Sequence, residues 1–465
     1  IAFVSICFMA REERKKRTSF VCQQCGKESP KWLGRCPQCQ EWNSFVETFT
    51  ESRPSSSWVP ETNSKPQSLS EISLESSPKI TLPFNEFNML LGGGLVPGTL
   101  VLIGGDPGIG KSTLLLQVTT AVSGNQKKVL YVSGEESAHQ LKLRANRLGI
   151  YDPSLCFLSE TQIEAILHHL DNLSPSLVII DSIQTMYTAE LGATPGSVAQ
   201  IKECTLQLLK WAKSSGVPIL ISGHVTKDGS LAGPRVLEHI VDVVLYLEGE
   251  PFSSYRLLRS VKNRYGSTNE VAVFEMKESG LVEVENPSLA FLSGRTENST
   301  GSVVVCSLEG TRPLLAEIQA LTHPTAFGLP RRTANGIDLN RLYVIAAVLS
   351  KRAGLPLSQQ DIIISVAGGL RLAEPSVDLG IAIAIASSFH NAPVDPQLVA
   401  MGEVGLGGEI RPVPQISRRV AEAVKLGFKR CMVPLSSREE IQTPDGARLI
   451  RVSQLRDAIK QALNS

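Results

Sequence analysis

Short apolar runs recur through the middle of the chain, separated by glycine-rich or polar punctuation and by stretches of helical spacing. Leu100–Ile103, Lys128–Ser133, Ser176–Asp181 and Val217–Ser222 read as buried strands, with Val241–Leu247 and Tyr255–Val261 as two more. Thr113–Val122 lacks glycine and proline and carries helical spacing, and Val198–Lys213 is a second helix. Between strand and helix, Thr185–Ser197 carries Gly192, Pro195 and Gly196 and reads as a mobile loop. Alternating strands and helices predict an α/β core with a mostly parallel sheet. Beyond Ser293–Gly301 the pattern shifts. Gly301–Leu308, Ala316–Leu321 and Asp361–Val366 are strand-like there, while Asn340–Arg352 and the Ala/Ile-rich Val377–Ser388 are helical, which predicts a separate α+β domain. Thr50–Lys79 is rich in Ser, Pro and Glu and reads as a flexible linker, because it cannot bury enough surface to offset its ordering entropy. The expected organisation is an N-terminal extension (1–17), a cysteine module (18–49), a linker (50–78), an α/β core (79–286) and a C-terminal domain (287–465).

Composition narrows this little. The 465 residues allow two or three domains, and 42% hydrophobic with 20% charged residues is ordinary for a globular protein. A net charge of +1 selects neither for nor against nucleic acid. No apolar run approaches the roughly 18 residues that cross a bilayer, so no membrane partner is expected. Cys7, Cys156, Cys204, Cys306 and Cys431 are scattered, as suits reduced intracellular thiols. Apolar Ile1–Phe8 precedes the basic Arg11–Arg17, the reverse of a secretory signal. Met9 is therefore the expected natural start and the cytoplasm the expected location, with a truncated organelle transit segment as the alternative.

Gly105-Asp106-Pro107-Gly108-Ile109-Gly110-Lys111-Ser112, with Thr113 behind it, matches G-x-x-x-x-G-K-[ST] between a strand and a helix. Its glycines let backbone N–H groups wrap phosphates at a helix N-terminus, so a nucleoside triphosphate is the expected ligand. Lys111 would reach the β- and γ-phosphates and Ser112 would sit on Mg²⁺. Glu135, just past the next strand, is the candidate that orients and deprotonates water. Glu136 is the alternative, and a helix-capping acid the plainer reading. Asp181 ends an apolar run in the Walker B pattern and is the second candidate Mg²⁺ ligand. His224, one strand along, is a candidate γ-phosphate sensor, against a satisfied strand-end histidine. Lys262-Asn263-Arg264-Tyr265-Gly266 places two cations in a turn, suited to a neighbour's phosphates, to DNA or to plain solvation.

Cys22, Cys25, Cys36 and Cys39 form two C-x-x-C knuckles, the spacing of a closed Cys₄ zinc site that is structural rather than catalytic. Redox pairs are the competing reading. So small a module has no core of its own, so the metal must supply much of its folding energy. Trp32 and Trp42 are expected to cover the site, with nucleic-acid stacking as the alternative.

Together the cysteine knuckles, Gly105–Thr113, Tyr131–Ser137, Gly223–Lys227 and Lys262–Gly266 resemble the bacterial RadA (Sms) family of DNA repair ATPases, from about Thr18 onward. The resemblance implies a RecA-like core that binds ATP and Mg²⁺ behind a zinc finger, acting on single-stranded and branched DNA. It also implies a hexameric ring, branch migration, a RecA-type recombinase as partner, and association with the nucleoid. The family's signature is K-N-R-F-G, and Tyr265 stands here for Phe. By that match Lys262 and Arg264 become functional candidates, and Lys227 a possible DNA contact.

The C-terminal region resembles the proteolytic domain of Lon. Aligning Gly380-Ile381-Ala382 with the Lon helix start puts Asp378 at the serine position, with Ser376 two residues away, and Ser417 falls at the lysine position. No acyl-enzyme forms on such a pair, so no peptidase activity is expected. Arg331, Arg332, Asn340 and Arg341 are candidates for a DNA-facing patch, against ordinary solvated charge. An ATP-driven DNA motor is thus the leading expectation, ahead of an ATP-dependent protease or a RecA-like regulatory ATPase.

Overall fold

A computed structural model describes residues 17–22, 24, 27–50, 78–122, 127–224, 234–249, 253–268, 270–296, 298–326, 328–437 and 446–463. Cys25, Lys227, the N-terminal extension short of residue 17 and linker residues 51–77 lie outside them. The chain divides into two units, Ile1–Pro83 with Leu91–Tyr246 and Lys262–Tyr265, and Phe84–Leu90 with Leu247–Val261 and Gly266–Ser465.

Strands β1 (Arg17–Cys22), β2 (Glu28–Ser29) and β3 (Phe45–Thr50) form an antiparallel ribbon with β1 in the middle. Cys22, Cys36 and Phe45 are buried at its centre, with Phe20 and Leu33 against them. Trp32 and Trp42, expected to cover this site, keep 52% and 67% of their surface exposed. Phenylalanine and leucine fill the small interior, while Trp32 lies on the outside and donates its indole N–H to the Phe45 carbonyl at 3.2 Å.

Past α1 (Asn85–Leu90), which belongs to the second unit, the core follows as alternating strands and helices. These are β4 (Leu100–Gly105), α2 (Lys111–Val118), β5 (Val129–Ser133), α3 (Ala138–Arg147), β6 (Leu155–Leu158), α4 (Ile163–Leu173), β7 (Leu177–Asp181), α5 (Val198–Ser215), β8 (Ile219–His224), α6 (Pro234–Glu238) and β9 (Val243–Glu248). The sheet order is β9-β4-β8-β7-β5-β6, and the pairs from β4 to β6 are all parallel. Strands buried on both faces read as near-continuous apolar runs, which is why Val-Ile-Ile and Leu-Val-Leu-Ile stretches dominate here. One face packs Leu100, Leu102, Val132 and Ile180 against Ile166 and Leu170 of α4 and Ile201 and Leu208 of α5.

Parallel register sets the functional edge. Gly105 pairs with His224, and Ser133 with Asp181, so the C-terminal ends of β4, β5, β7 and β8 line one side of the sheet. The loop expected to be mobile is held there. Gln200 is buried and donates its amide to the carbonyls of Thr188 (3.1 Å), Leu191 (3.1 Å) and Ala193 (2.9 Å), while accepting from Thr188 N at 2.8 Å. Glycine and proline content marked a loop, and one glutamine on the next helix fastens it.

In the second unit β10 (Tyr255–Asn263), β11 (Val271–Lys277) and β12 (Gly280–Glu283) form an antiparallel meander, followed by α7 (Pro287–Leu292). The Glu283 carboxylate accepts from the first backbone N–H groups of α1, including Asn85 at 2.8 Å. A mixed sheet comes next, built from β13 (Ser302–Glu309), β14 (Arg312–Pro324), β15 (Arg332–Asn335), β16 (Gln360–Val366), β17 (Leu398–Ala400), β20 (Arg430–Pro434) and β21 (Arg448–Val452). Its order is β15-β16-β14-β13-β17-β20-β21, and β18 (Glu403–Val404) and β19 (Ile410–Arg411) form a separate small hairpin. Helices α8 (Leu339–Val348), α9 (Asp378–His390), α10 (Ile416–Lys425) and α11 (Leu455–Leu463) complete the unit. Apart from its last three residues, α9 is buried on all sides, which explains its Ala/Ile composition. At Gly380 it crosses β13 so closely that a Cβ would lie 2.0 Å from Val305.

Candidate functional site

The phosphate-binding loop turns at Gly105 (φ 151°), Gly108 (φ 75°) and Gly110 (φ 119°), conformations that only glycine adopts without strain. Lys111 opens α2 and is buried, its ammonium donating to the carbonyls of Gly105 (2.9 Å) and Asp106 (3.0 Å) and to His224 Nδ1 (3.2 Å). Burial holds the Lys111 pKa below the ordinary lysine value, against the opposing pull of Asp181, Glu135 and Asp106. Ser112 and Thr113 lie half-buried in the same first turn.

Asp181 ends β7 as a buried carboxylate. Ser222 Oγ donates to its Oδ1 at 2.6 Å and Tyr131 OH to its Oδ2 at 2.7 Å. Burial first, then the Asp181 charge, keeps the Tyr131 phenol well above its usual pKa, so it acts as a donor. Each carboxylate oxygen keeps a further lone pair, so the group can still accept from a metal-bound water.

The adjacent acids Glu135 and Glu136 part company here. Glu136 pairs with Arg144 on α3, and burial raises its pKa against that arginine's pull. Glu135 accepts from Ser182 Oγ at 2.5 Å and lies 3.5 Å from His224 Nε2. Because the Lys111 ammonium can only donate, Nδ1 of His224 accepts and Nε2 carries the proton toward Glu135. Neither acid caps the following helix. Ser137 does, in a capping box with Gln140. Gly134 gives the strand-to-helix turn its close approach, since a Cβ there would lie 2.5 Å from Thr161 and 2.6 Å from the Thr185 hydroxyl.

Lys111, Glu135, Asp181 and His224 therefore converge, as their strand ends suggested. Tyr131, Ser182, Gln184 and Ser222 complete the site and were not anticipated. Gln184 donates to the His224 carbonyl at 3.4 Å. Tyr131 and Ser222 each lie two residues before a strand-end polar residue, on the same face, within otherwise apolar strands. That interruption is the signal that marks them.

The Lys262–Tyr265 turn is assembled in the first unit as well. Lys262 Nζ donates to the carbonyls of Glu238 (2.6 Å) and Val241 (2.8 Å), whereas the Arg264 side chain is 55% exposed. Asn263 Oδ1 accepts from Tyr265 N at 2.7 Å, and Gly266 is exposed.

In the ribbon, the sulfurs of Cys22, Cys36 and Cys39 lie within 4.8 Å of one another, and Cys22 to Cys39 is 3.6 Å. Zn–S bonds of about 2.3 Å in a tetrahedron demand sulfurs about 3.8 Å apart, so these three fit one zinc ion. The knuckle turns close through Cys22 N to Lys27 O and Cys36 N to Glu41 O, both 2.9 Å.

The Lon-like region pairs different residues from those the alignment matched. Asp378 is gripped by Arg341 through both oxygens and accepts from Val404 N at 3.1 Å. The serine and cation brought together are Ser376 and Arg419, two positions to either side of Asp378 and Ser417, with Arg419 Nη1 donating to Ser376 Oγ at 3.0 Å. Both are fully buried, and Arg419 also pairs with Glu374 and donates to the Cys306 carbonyl at 2.8 Å. A guanidinium cannot take the serine proton. Burial pushes the Cys306 thiol up to about 12 and Cys431 to about 11, so neither is a ready nucleophile. Of the arginines expected to face DNA, Arg341 is taken by Asp378, and Arg332 is turned onto the carbonyls of Leu357 (2.9 Å) and Gln360. Arg331 is exposed.

Residues 74–230 match the model of an AAA domain, 20–47 that of a rubredoxin metal binding domain, and 324–437 that of subunit ChlI of Mg-chelatase. The chain is 52% identical to DNA repair protein RadA of Bacillus subtilis over 454 residues, covering 97% of this chain and 99% of that protein. It is 53% identical to DNA repair protein RadA of Halalkalibacterium halodurans over 453 residues, covering the same shares. Among solved structures, a KaiC-like protein from Pyrococcus horikoshii is similar over 44% of this chain and 99% of its own, at 20% identity and a TM-score of 0.38.

Proposed function

The chain belongs to the DNA repair protein RadA family, and on that premise we propose that it is a motor that moves on single-stranded DNA and drives branch migration of recombination intermediates. It is an ATPase of DNA repair, with ATP and Mg²⁺ as ligands of its AAA domain and zinc as the structural ion of its ribbon.

The observation that carries the motor reading is the meeting of Lys111, Glu135, Asp181 and His224 at the C-terminal edge of one parallel sheet. Gly105–Thr113 wrap the phosphates, and Lys111 turns from its loop carbonyls to the β- and γ-phosphates. Ser112 and Asp181 hold Mg²⁺, which neutralises charge developing on the phosphates when bound. Glu135, fixed by Ser182, orients the attacking water and takes its proton. His224 bridges Lys111 and Glu135 and is held through its carbonyl by Gln184, one residue before the loop that Gln200 fastens. A change at the γ-phosphate thereby reaches the Thr185–Ser197 loop.

Lys262 and Arg264 complete a neighbour's nucleotide site in a hexameric ring. A zinc module (18–49), linker (50–78), ATPase core (79–286) and Lon-like domain (287–465) make up each subunit. Lys227 and Arg331 contact DNA, a RecA-type recombinase is the partner, and the work takes place in the cytoplasm. The Lon-like domain cleaves no peptide, because Ser376 is buried and Glu374, the carboxylate that accepts from its hydroxyl at 2.7 Å, is itself held in an ion pair by Arg419.

A branched DNA substrate labelled on one strand tests the motor. The wild-type protein with ATP should move the branch point, and Glu135→Gln should hold ATP and leave it in place. ATP hydrolysis by the wild type without branch movement would overturn the motor reading. Electron microscopy of the protein with DNA and a slowly hydrolysed ATP analogue tests the ring.

A further inference from the structure

Asp242 is 1% exposed and carries no role in the scheme above. A carboxylate withdrawn from water this far requires charged partners and hydrogen bonds to be tolerated. It has both. Its Oδ2 accepts from Leu100 N at 3.1 Å and from Lys213 Nζ at 2.7 Å, and its Oδ1 lies 3.4 Å from Arg264 Nη1. Its backbone is tied to the same neighbours, Asp242 N donating to Leu100 O at 3.0 Å and Arg264 N to Asp242 O at 3.3 Å.

These partners join two distant parts of the site. Leu100 is the first residue of β4, the strand that runs into the phosphate-binding loop. Arg264 lies in the Lys262–Tyr265 turn, whose Lys262 is bound to the Val241 carbonyl immediately before Asp242. Lys213, in the last turn of α5, closes the arrangement. Its ammonium also donates to Tyr265 OH at 3.3 Å and sits 6.0 Å from that ring's centroid. The hydroxyl is this chain's addition where the family signature has Phe. With Lys262 bound to backbone carbonyls, Arg264 is the more exposed cation of the turn, and its direction depends on the carboxylate beneath it.

We propose that Asp242 is a positioning residue for ATP hydrolysis, fixing the Lys262–Tyr265 turn to the root of the phosphate-loop strand so that Arg264 points at a neighbouring subunit's nucleotide. The proposal rests on the reading above in which that turn acts between subunits. Asp242 touches no reacting atom. Its loss should misplace the turn while leaving the subunit's own phosphate loop formed.

Steady-state ATP hydrolysis by Asp242→Asn and Lys213→Met tests this. Both should lose about tenfold in kcat with the ATP KM within about threefold. Lys213 is half-exposed, and without it Asp242 keeps the Leu100 N–H and Arg264 as partners, so Lys213→Met decides the matter if Asp242→Asn is insoluble. Each variant should also regain activity when mixed with Lys111→Ala, whose intact turn can serve the partner's intact phosphate loop. Unchanged kcat, or a KM that rises in step with the fall in kcat, would overturn the proposal. Arg264→Ala mixed with Lys111→Ala separates the underlying reading. Recovery there without recovery for Asp242→Asn removes Asp242's role alone, and no recovery in either mixture removes the inter-subunit turn and this role with it.

Discussion

Glu135 and Glu136 share a side chain and a turn, yet one faces Ser182 and His224 and the other Arg144. Their substitutions should therefore diverge. Glu135→Gln should lower ATP turnover by about 10²–10⁴-fold with nucleotide still bound, the loss of a general base. Glu136→Gln should leave turnover within a few-fold and instead cost about 1–3 kcal/mol of stability, because Arg144 keeps a half-buried charge without its partner. Turnover assays and chemical denaturation of both variants check the pair. At this scale the sequence was legible wherever chemistry sits at the end of an apolar run, as with Asp181 and Glu135. Tyr131, Ser222 and Asp242 lie inside strands or before them, and their importance comes from which strands are neighbours. Spacing along one strand does not state that. The same limit explains Ser376 and Arg419: a local motif comparison settled on Asp378 and Ser417, while packing of two helix starts chose residues two positions away.

Among elements, the strand-to-helix turn at Gly134 is the most constrained part of the ATPase edge. Gly134→Ala would press a methyl group into Thr161 and Thr185 and should cost about 1–3 kcal/mol of stability, read by denaturant midpoint. The zinc ribbon makes the opposite case, an element with little interior beyond Cys22, Cys36, Phe45 and two partly buried neighbours. Chelating the metal should unfold it and alter the fluorescence of Trp32, which is held to the Phe45 carbonyl, while ATP binding persists. Its cysteine spacing was readable because ligand geometry is local. The outward tryptophans were not, since so small a ribbon has no room to bury an indole. The Thr185–Ser197 loop taught a similar lesson: composition identified it, but the fastening residue, Gln200, belongs to the following helix.

For the whole molecule, the alternation of apolar runs disclosed an α/β core, and the change of pattern after Ser293–Gly301 disclosed an α+β region. The family's assignment to DNA repair and the convergence of Lys111, Glu135, Asp181 and His224 lead to one central claim, that ATP hydrolysis here is driven by DNA. The most direct test is the steady-state ATPase rate titrated with single-stranded DNA at low salt, for wild type and Lys111→Ala. The account predicts a wild-type rate that climbs with DNA and saturates, and none above background in the variant. A wild-type rate indifferent to DNA, with no DNA bound at low salt, would contradict it.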